Sequence, residues 1–246
     1  MKKIIVVIIF VFIAQVSYSQ VTGGSALMPG ELAWKAGLGG GFVYGFSSGS
    51  LLGECGYEFE GLNGPGFYIS ASGSMPIDFF SDLYASLGYQ SLTLESTAEM
   101  KRLKAVQDEP VPVEVNMASK AEVSLSSINL DVYYKRKLLS EFFVLGGIGL
   151  HIIASGEINQ DETIKDDRFV FSGSEKTNDL IYKGEVKDIN SFQFDVRIGL
   201  GYDFRIGAKY LLSPTAVFSY PFTKLTSASS MRIMTLSAGI QLSYIF

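Results

Sequence analysis

The chain holds a single histidine, His151, so a mechanism that needs an imidazole as general base has only this residue to use. Acyl transfer to or from lipid is the reaction class that such a histidine would serve. His151 alternates with Gly147 and Gly149, Asp195 alternates with Arg197, and Lys35 and Asp131 hold equivalent places in two further segments. Ionised groups gathered away from water persist only when they are paired. The expectation is therefore a cluster of Lys35, Asp131, His151, Asp195 and Arg197 that neutralises itself and fills an interior, with no catalytic residue and no gated ion path. The run Gly37-Leu38-Gly39-Gly40-Gly41 has neither the spacing of a phosphate loop nor a helix after it, so its glycines are read as small residues inside a narrow space. Asp161-Glu162 and Asp166-Asp167 would suit divalent cations between anionic headgroups, but they lack a coordination spacing and are read as a solvated loop. Lys101, Arg102 and Lys104 would meet anionic headgroups from outside. Cys55 is the only cysteine; it is read as a half-buried loop residue, and no disulfide framework can form within the chain. No cofactor or metal site is expected.

These residues sit on segments of period two, the repeat of β-strands. Trp34, Ala36, Leu38, Phe42, Tyr44 and Phe46 share one face opposite Lys35 and the glycines. Phe67, Ile69, Ala71 and Met75 oppose Tyr68, Ser70, Ser72 and Ser74. Leu83, Ala85, Leu87 and Tyr89 mark a third strand, Leu83 to Leu94. In the fourth, Ile128, Leu130, Val132 and Tyr134 oppose Ser127, Asn129, Asp131 and Lys135, while Val123 and Leu125 fall out of phase, which points to a bulge near Ser126. Phe142 to Ile152, Phe192 to Phe204 and Leu212 to Phe222 give three more strands. The last, Met231 to Phe246, carries its apolar face to the terminal aromatic residue.

The links between strands alternate in length. Ser47 to Pro65, Ser96 to Lys120 and Gly156 to Asn190 are long, with Thr223 to Ser230 intermediate on the same side; those around Ile77-Asp78, Leu138 to Ser140 and Ile206-Gly207 are short. This is the meander of an all-β, transmembrane, up-and-down antiparallel β-barrel of eight strands, with short periplasmic turns, long external loops and both termini periplasmic. Extra strands from Leu51 to Phe59 or Phe169 to Lys187 would make ten. Aromatic residues fall at both ends of the apolar faces with aliphatic residues between, the arrangement of two headgroup-level girdles around a lipid-facing band. The glycine-rich faces then point into the lumen, which eight strands leave just wide enough for side chains to fill.

Met1 to Ser19 reads as a signal peptide: a Lys2-Lys3 start, an apolar run from Ile4 to Ala14, and small residues before a cut at Gln20. The mature domain is 20–246. A net charge of −5 leaves no basic surplus for nucleic acid. Ser237, Gly239, Leu242, Tyr244 and Phe246 resemble the C-terminal assembly signal of bacterial outer-membrane barrels. Together with the leader, the glycine-rich first strand and the turn at Gly199 to Phe204, they make nearly the whole mature chain similar to the outer-membrane β-barrel domain family, which includes PorT-like proteins and, more distantly, the OmpA and OmpX type. The resemblance implies outer-membrane lipid, lipopolysaccharide and the barrel assembly machinery as partners. It implies architecture and location before activity. The expected role is structural or interactive: envelope integrity, adhesion, or part of a secretion or envelope assembly, with an envelope protein bound through the external loops. A small-solute pore is the alternative and a lipid-modifying enzyme the third reading. Phe169-Val170-Phe171 and Leu180-Ile181-Tyr182 are expected to pair as a hairpin in the longest loop.

Overall fold

The computed structural model describes residues 33–104, 111–138, 141–166, 169–170 and 178–246; the signal segment lies outside them. The strands are β1 (Lys35–Ser48), β2 (Ser50–Leu52), β3 (Glu58–Glu60), β4 (Asn63–Asp78), β5 (Ser81–Lys104), β6 (Val113–Lys137), β7 (Phe142–Ile164), β8 (Asn178–Glu185), β9 (Phe192–Tyr202), β10 (Phe204–Ile206), β11 (Tyr210–Pro221) and β12 (Arg232–Ile245). Eight of them close a ring by antiparallel pairing in the order β1, β4, β5, β6, β7, β9, β11, β12 and back to β1. The seam runs from Lys35 opposite Ile245 to Ser48 opposite Arg232. Closure matters because an open edge leaves unpaired backbone donors and acceptors. The ten-strand alternative is not what forms. β2 and β3 make a separate two-stranded hairpin, and β8 adds only to the upper part of β7.

Around the lower part of the ring the apolar residues of the wall mostly face outward. Leu38, Phe42, Ile69, Leu87, Leu130, Ile148, Ile198, Leu200, Leu236 and Ile240 are exposed, whereas Ser86, Asn129, Asp131, His151, Asp195 and Arg197 are buried inside. Above this belt the two faces exchange chemistry. On β5 the inward series continues from Ser86, Gly88 and Gln90 into Leu92 and Leu94, which are buried, while the outward series passes from Tyr89 into Ser91, Thr93 and Glu95. β6 does the same, with Leu125, Val123, Ala121, Met117 and Val115 buried inside. The exchange falls on one row, where Ser91 pairs with Ser126 and Ser126 with Ser155, the last two hydroxyls 2.5 Å apart. The upper part is therefore an ordinary apolar core with polar walls.

This exchange corrects three sequence expectations. The out-of-phase Val123 and Leu125 do not mark a bulge in β6, whose inward alternation is unbroken. The extra residue is Ala154 on β7: Ser126 pairs with Ser155 but Ser127 with Ile153. Below it the odd residues Phe143 to His151 face inward, and above it the even residues Ile158, Gln160, Glu162 and Ile164 do. Most of the segment Ser96 to Lys120 is strand, since β5 runs to Lys104 and β6 starts at Val113; the third strand thus extends well past Leu94. Finally, Leu180, Ile181 and Tyr182 belong to β8, whose partner is β7 between Glu157 and Thr163. Phe169 packs instead beside Val115, Met117 and Ile164, and Phe171 lies outside the described residues.

Candidate functional site

Charged residues occupy the lumen in two layers. In the lower one, Lys35 Nζ meets Asp82 Oδ2 at 2.6 Å. Beside it Lys135 Nζ donates to both oxygens of Asp203, at 2.8 and 2.7 Å, and lies 3.8 Å from the centre of the Phe143 ring. Ser213 donates to Asp203 Oδ1 at 2.7 Å. In the middle layer Arg197 bridges two carboxylates, Nη1 to Asp131 Oδ2 at 2.5 Å and Nε to Asp195 Oδ1 at 2.9 Å. Its Nη1 also donates to the Tyr133 hydroxyl at 3.1 Å. His151 Nε2 is 2.7 Å from Asp195 Oδ2, and the Ser219 hydroxyl donates to the same oxygen. The strand period explains the assembly: Asp195 and Arg197 are consecutive inward residues of β9, and Gly149 faces Asp195 across the β7–β9 pairing. A Cβ on Gly149 would collide with Asp195 Oδ1 and approach Arg197 Nε to 2.6 Å, so any larger residue there would have to displace the pair from its present position.

Of the five residues expected to cluster, four do: Asp131, His151, Asp195 and Arg197. Lys35 belongs to the lower layer with Asp82. Asp82, Lys135, Asp203 and Tyr133 complete the network and were not singled out from the sequence, although Lys135 already lay on the polar face of its strand. Between the layers and the facing strands lies a cavity of about 90 Å³. Its wall includes the Tyr84 hydroxyl, which donates to Gln241 Oε1 at 2.9 Å, and Gln241 Nε2, which donates to Ser72 at 2.7 Å. That space suits a few waters on polar partners.

For acyl transfer an imidazole nitrogen must face a nucleophile. Here Nε2 faces Asp195 and Arg197, and the nearby Ser219 hydroxyl is spent on Asp195.

Above the polar layers the lumen is stopped by the apolar core, in which Leu62, Leu94, Val123, Leu225 and Met231 are buried with Phe59. The β2–β3 hairpin folds over the mouth as a cap. Phe59 and Tyr57 are wholly buried, and the Tyr57 hydroxyl donates to Glu162 Oε1 at 2.6 Å. Lys104 Nζ pairs with Glu162 Oε2 at 2.7 Å, and the Arg102 guanidinium lies over the Tyr57 ring at 4.8 Å. Burial, reinforced by the carboxylate beside it, pushes the Tyr57 phenol above its usual range. Gln160 fixes the hairpin backbone reciprocally, accepting from Glu54 N at 2.9 Å and donating to Glu54 O at 3.2 Å. These contacts were hidden in the sequence because both partners lay in stretches read as loops.

Other expectations change accordingly. Asp161 and Glu162 are neighbours on a strand and point to opposite faces, so they do not converge on a cation; Asp167 lies outside the described residues. Among the described residues no cluster of metal-ligating side chains is present. Lys101 faces out, while Arg102 and Lys104 turn inward to the cap, so the three do not share a headgroup-facing surface. The glycines of 37–41 alternate across β1 as strand residues. Cys55 is exposed rather than half-buried, in a turn with φ of 59°. At the seam Ser237 and Gly239 face the lumen side and Leu242 and Phe246 are exposed outside; Tyr244 packs edge-on against Phe246, ring centres 5.1 Å apart, and Phe246 N donates to Trp34 O at 3.0 Å.

The ring, its outward apolar belt and its short lower turns define the architecture. It is that of a small transmembrane β-barrel. Among solved structures, Neisserial surface protein A is similar at 11% identity and a TM-score of 0.40, over 87% of this chain and 97% of that one. The outer membrane protease OmpT of Escherichia coli is similar at 11% identity and a TM-score of 0.36, over 92% and 100%. The outer membrane protein OprG of Pseudomonas aeruginosa is similar at 12% and 0.36, over 88% and 98%. No protein-family model matches the chain, and no curated protein does.

Proposed function

We propose that the chain is exported behind its Met1–Ser19 leader, is inserted in the bacterial outer membrane with both termini periplasmic, and acts there without enzymatic activity as a structural or interaction protein. The observation that carries this reading is the filled lumen. Two layers of paired charge and an apolar core under a latched cap leave the upper surface as the part free to meet a partner. Envelope integrity, adhesion, and a place in a secretion or envelope assembly, the last implied by the likeness to PorT-like proteins, are forms of the same reading. Ser237, Gly239, Leu242, Tyr244 and Phe246 serve as the recognition segment for barrel assembly. Outer-membrane lipid and lipopolysaccharide surround the belt.

The small-solute pore loses ground to this reading, since ions crossing the lumen would have to separate Arg197 from Asp131 and Asp195 and then pass buried leucines. Reconstitution in planar bilayers tests it. The full chain is expected to give almost no single-channel current; stable, ohmic conductance steps would overturn the proposal in favour of the pore.

A further inference from the structure

The outer end carries a groove of about 280 Å³ between the β2–β3 hairpin, β8 and the segment after β11. Its floor is apolar, built by Leu51, Ile158, Val186 and Tyr182, with Leu52 exposed at its mouth. Its rim is acidic: Glu54, Glu185 and Asp188 stand against a single ammonium, Lys187, which Glu54 holds at 2.5 Å. Asp188 sits on this rim with a φ of 53°. The Asp188 carbonyl accepts from Ser227 N at 3.1 Å, which ties the rim to the opposite wall. An apolar floor with carboxylates at its lip is complementary to a cationic head on an aliphatic stem. The volume sits at the small end of ligand sites and fits one or two side chains rather than a large molecule.

We infer that this groove is the docking point for a partner protein that inserts a lysine or arginine flanked by aliphatic residues. The inference rests on the reading of the upper end as an interaction surface and adds the chemistry of the partner.

The full-length protein in neutral maltoside micelles is titrated into a fluorescein-labelled octapeptide of alternating lysine and leucine, with a glutamate–leucine octapeptide and protein-free micelles as controls. Saturable anisotropy is expected for the lysine peptide alone. It should weaken about tenfold or more in the Glu185→Gln/Asp188→Asn double variant, and also in Ala228→Trp, which fills the groove from its exposed wall; heat-modifiable migration checks that both variants are folded. Equal binding of the glutamate peptide, binding of the lysine peptide that both variants retain, or no binding at all overturns the inference. A separate co-purification of envelope proteins with the wild type and both variants distinguishes the two levels. Partners recovered equally by all three leave the interaction reading standing and sink the groove, whereas no partner with any of them sinks the broader reading.

Discussion

Arg197→Met is the most informative single change. Arg197 is buried, and it is the bridge between Asp131 and Asp195, meeting the first at 2.5 Å and the second at 2.9 Å. Methionine fills a similar stem volume but leaves two carboxylates in the lumen without their guanidinium, with His151 and the Ser86 and Ser219 hydroxyls as the partners that remain. Removing one member of a buried ion pair costs about 3–5 kcal/mol, chiefly because the partner is left uncompensated. Here two partners are stranded, so the expected loss is at the upper end of that range. The triple variant Asp131→Asn/Asp195→Asn/Arg197→Met removes the stranded charge and should recover most of it, to within about 1–3 kcal/mol of wild type for the hydrogen bonds that remain unmade. Urea unfolding of the barrel from lipid vesicles, followed by the loss of the heat-modifiable band, gives both numbers. Equal stability of Arg197→Met and wild type, or a triple variant as unstable as the single one, would refute the idea that the lumen is held by mutual neutralisation.

Other outcomes follow from the same geometry. Leu200→Arg, on the outward belt, should cost about 2–4 kcal/mol if it lies near the midplane, whereas Ser70→Asn, beside the cavity, should be mild; comparable losses in vesicle unfolding would mean the faces are reversed. Deleting Tyr244 to Phe246 opens the lower end of the β1–β12 seam and is expected to leave the protein unassembled, so a normal heat-modifiable band would contradict it. Gly149→Val should block assembly, or yield a barrel without the Asp195–Arg197 pair, because its Cβ lands on that pair; a crystal structure retaining both would contradict the packing argument. The Tyr57 phenol is raised in the folded cap, so its contribution is complete below the ordinary phenol range near 10 and fades as pH rises through the raised value. Protease cleavage within 53–61 should therefore rise in alkali, and Tyr57→Phe should flatten that dependence; identical profiles would show that the latch is elsewhere.

The belt was legible because its outward apolar face makes period two stand out. Phe192 to Phe204 shows it without interruption, its even-numbered residues outward and its odd-numbered ones inward. The upper half was opaque for a physical reason. Once the walls meet water, Glu95, Thr97 and Glu99 alternate with Ser96, Ala98 and Met100, a pattern with too little apolar contrast to distinguish strand from charged loop. A one-residue insertion at Ala154 then reversed the phase of β7, so Ile158 and Glu162 could not be assigned a side by counting from His151. The middle-layer residues of the lumen were found because charge on an inward face of an outward-apolar strand is conspicuous. Lys35 was placed with the wrong partners since period gives the face of a residue and not its height. Leu51 to Phe59 was readable as extra strand, and it forms the β2–β3 hairpin, but its role as a cap was not: Tyr57, Gln160 and Glu162 are remote in sequence and meet only through the closure of the ring. Replacing Gln160 to Asp188 by a short turn would consequently strip the latch and β8 as well as any partner surface.

The serine row at Ser91, Ser126 and Ser155 has a consequence for how deep the protein rides. In a bilayer it works as a waterline. Sinking by one outward residue, two residues or about 6.6 Å along a strand, would draw Thr93 and Ser124 into hydrocarbon with Glu95 and Glu122 next in line; rising by the same step would lift Tyr89, Ile128 and Ile152 into water. Displacement in either direction meets opposition from neighbouring strands at once, so the barrel carries its own draught mark and the height of the cap above the surface is set by the wall rather than by the loops.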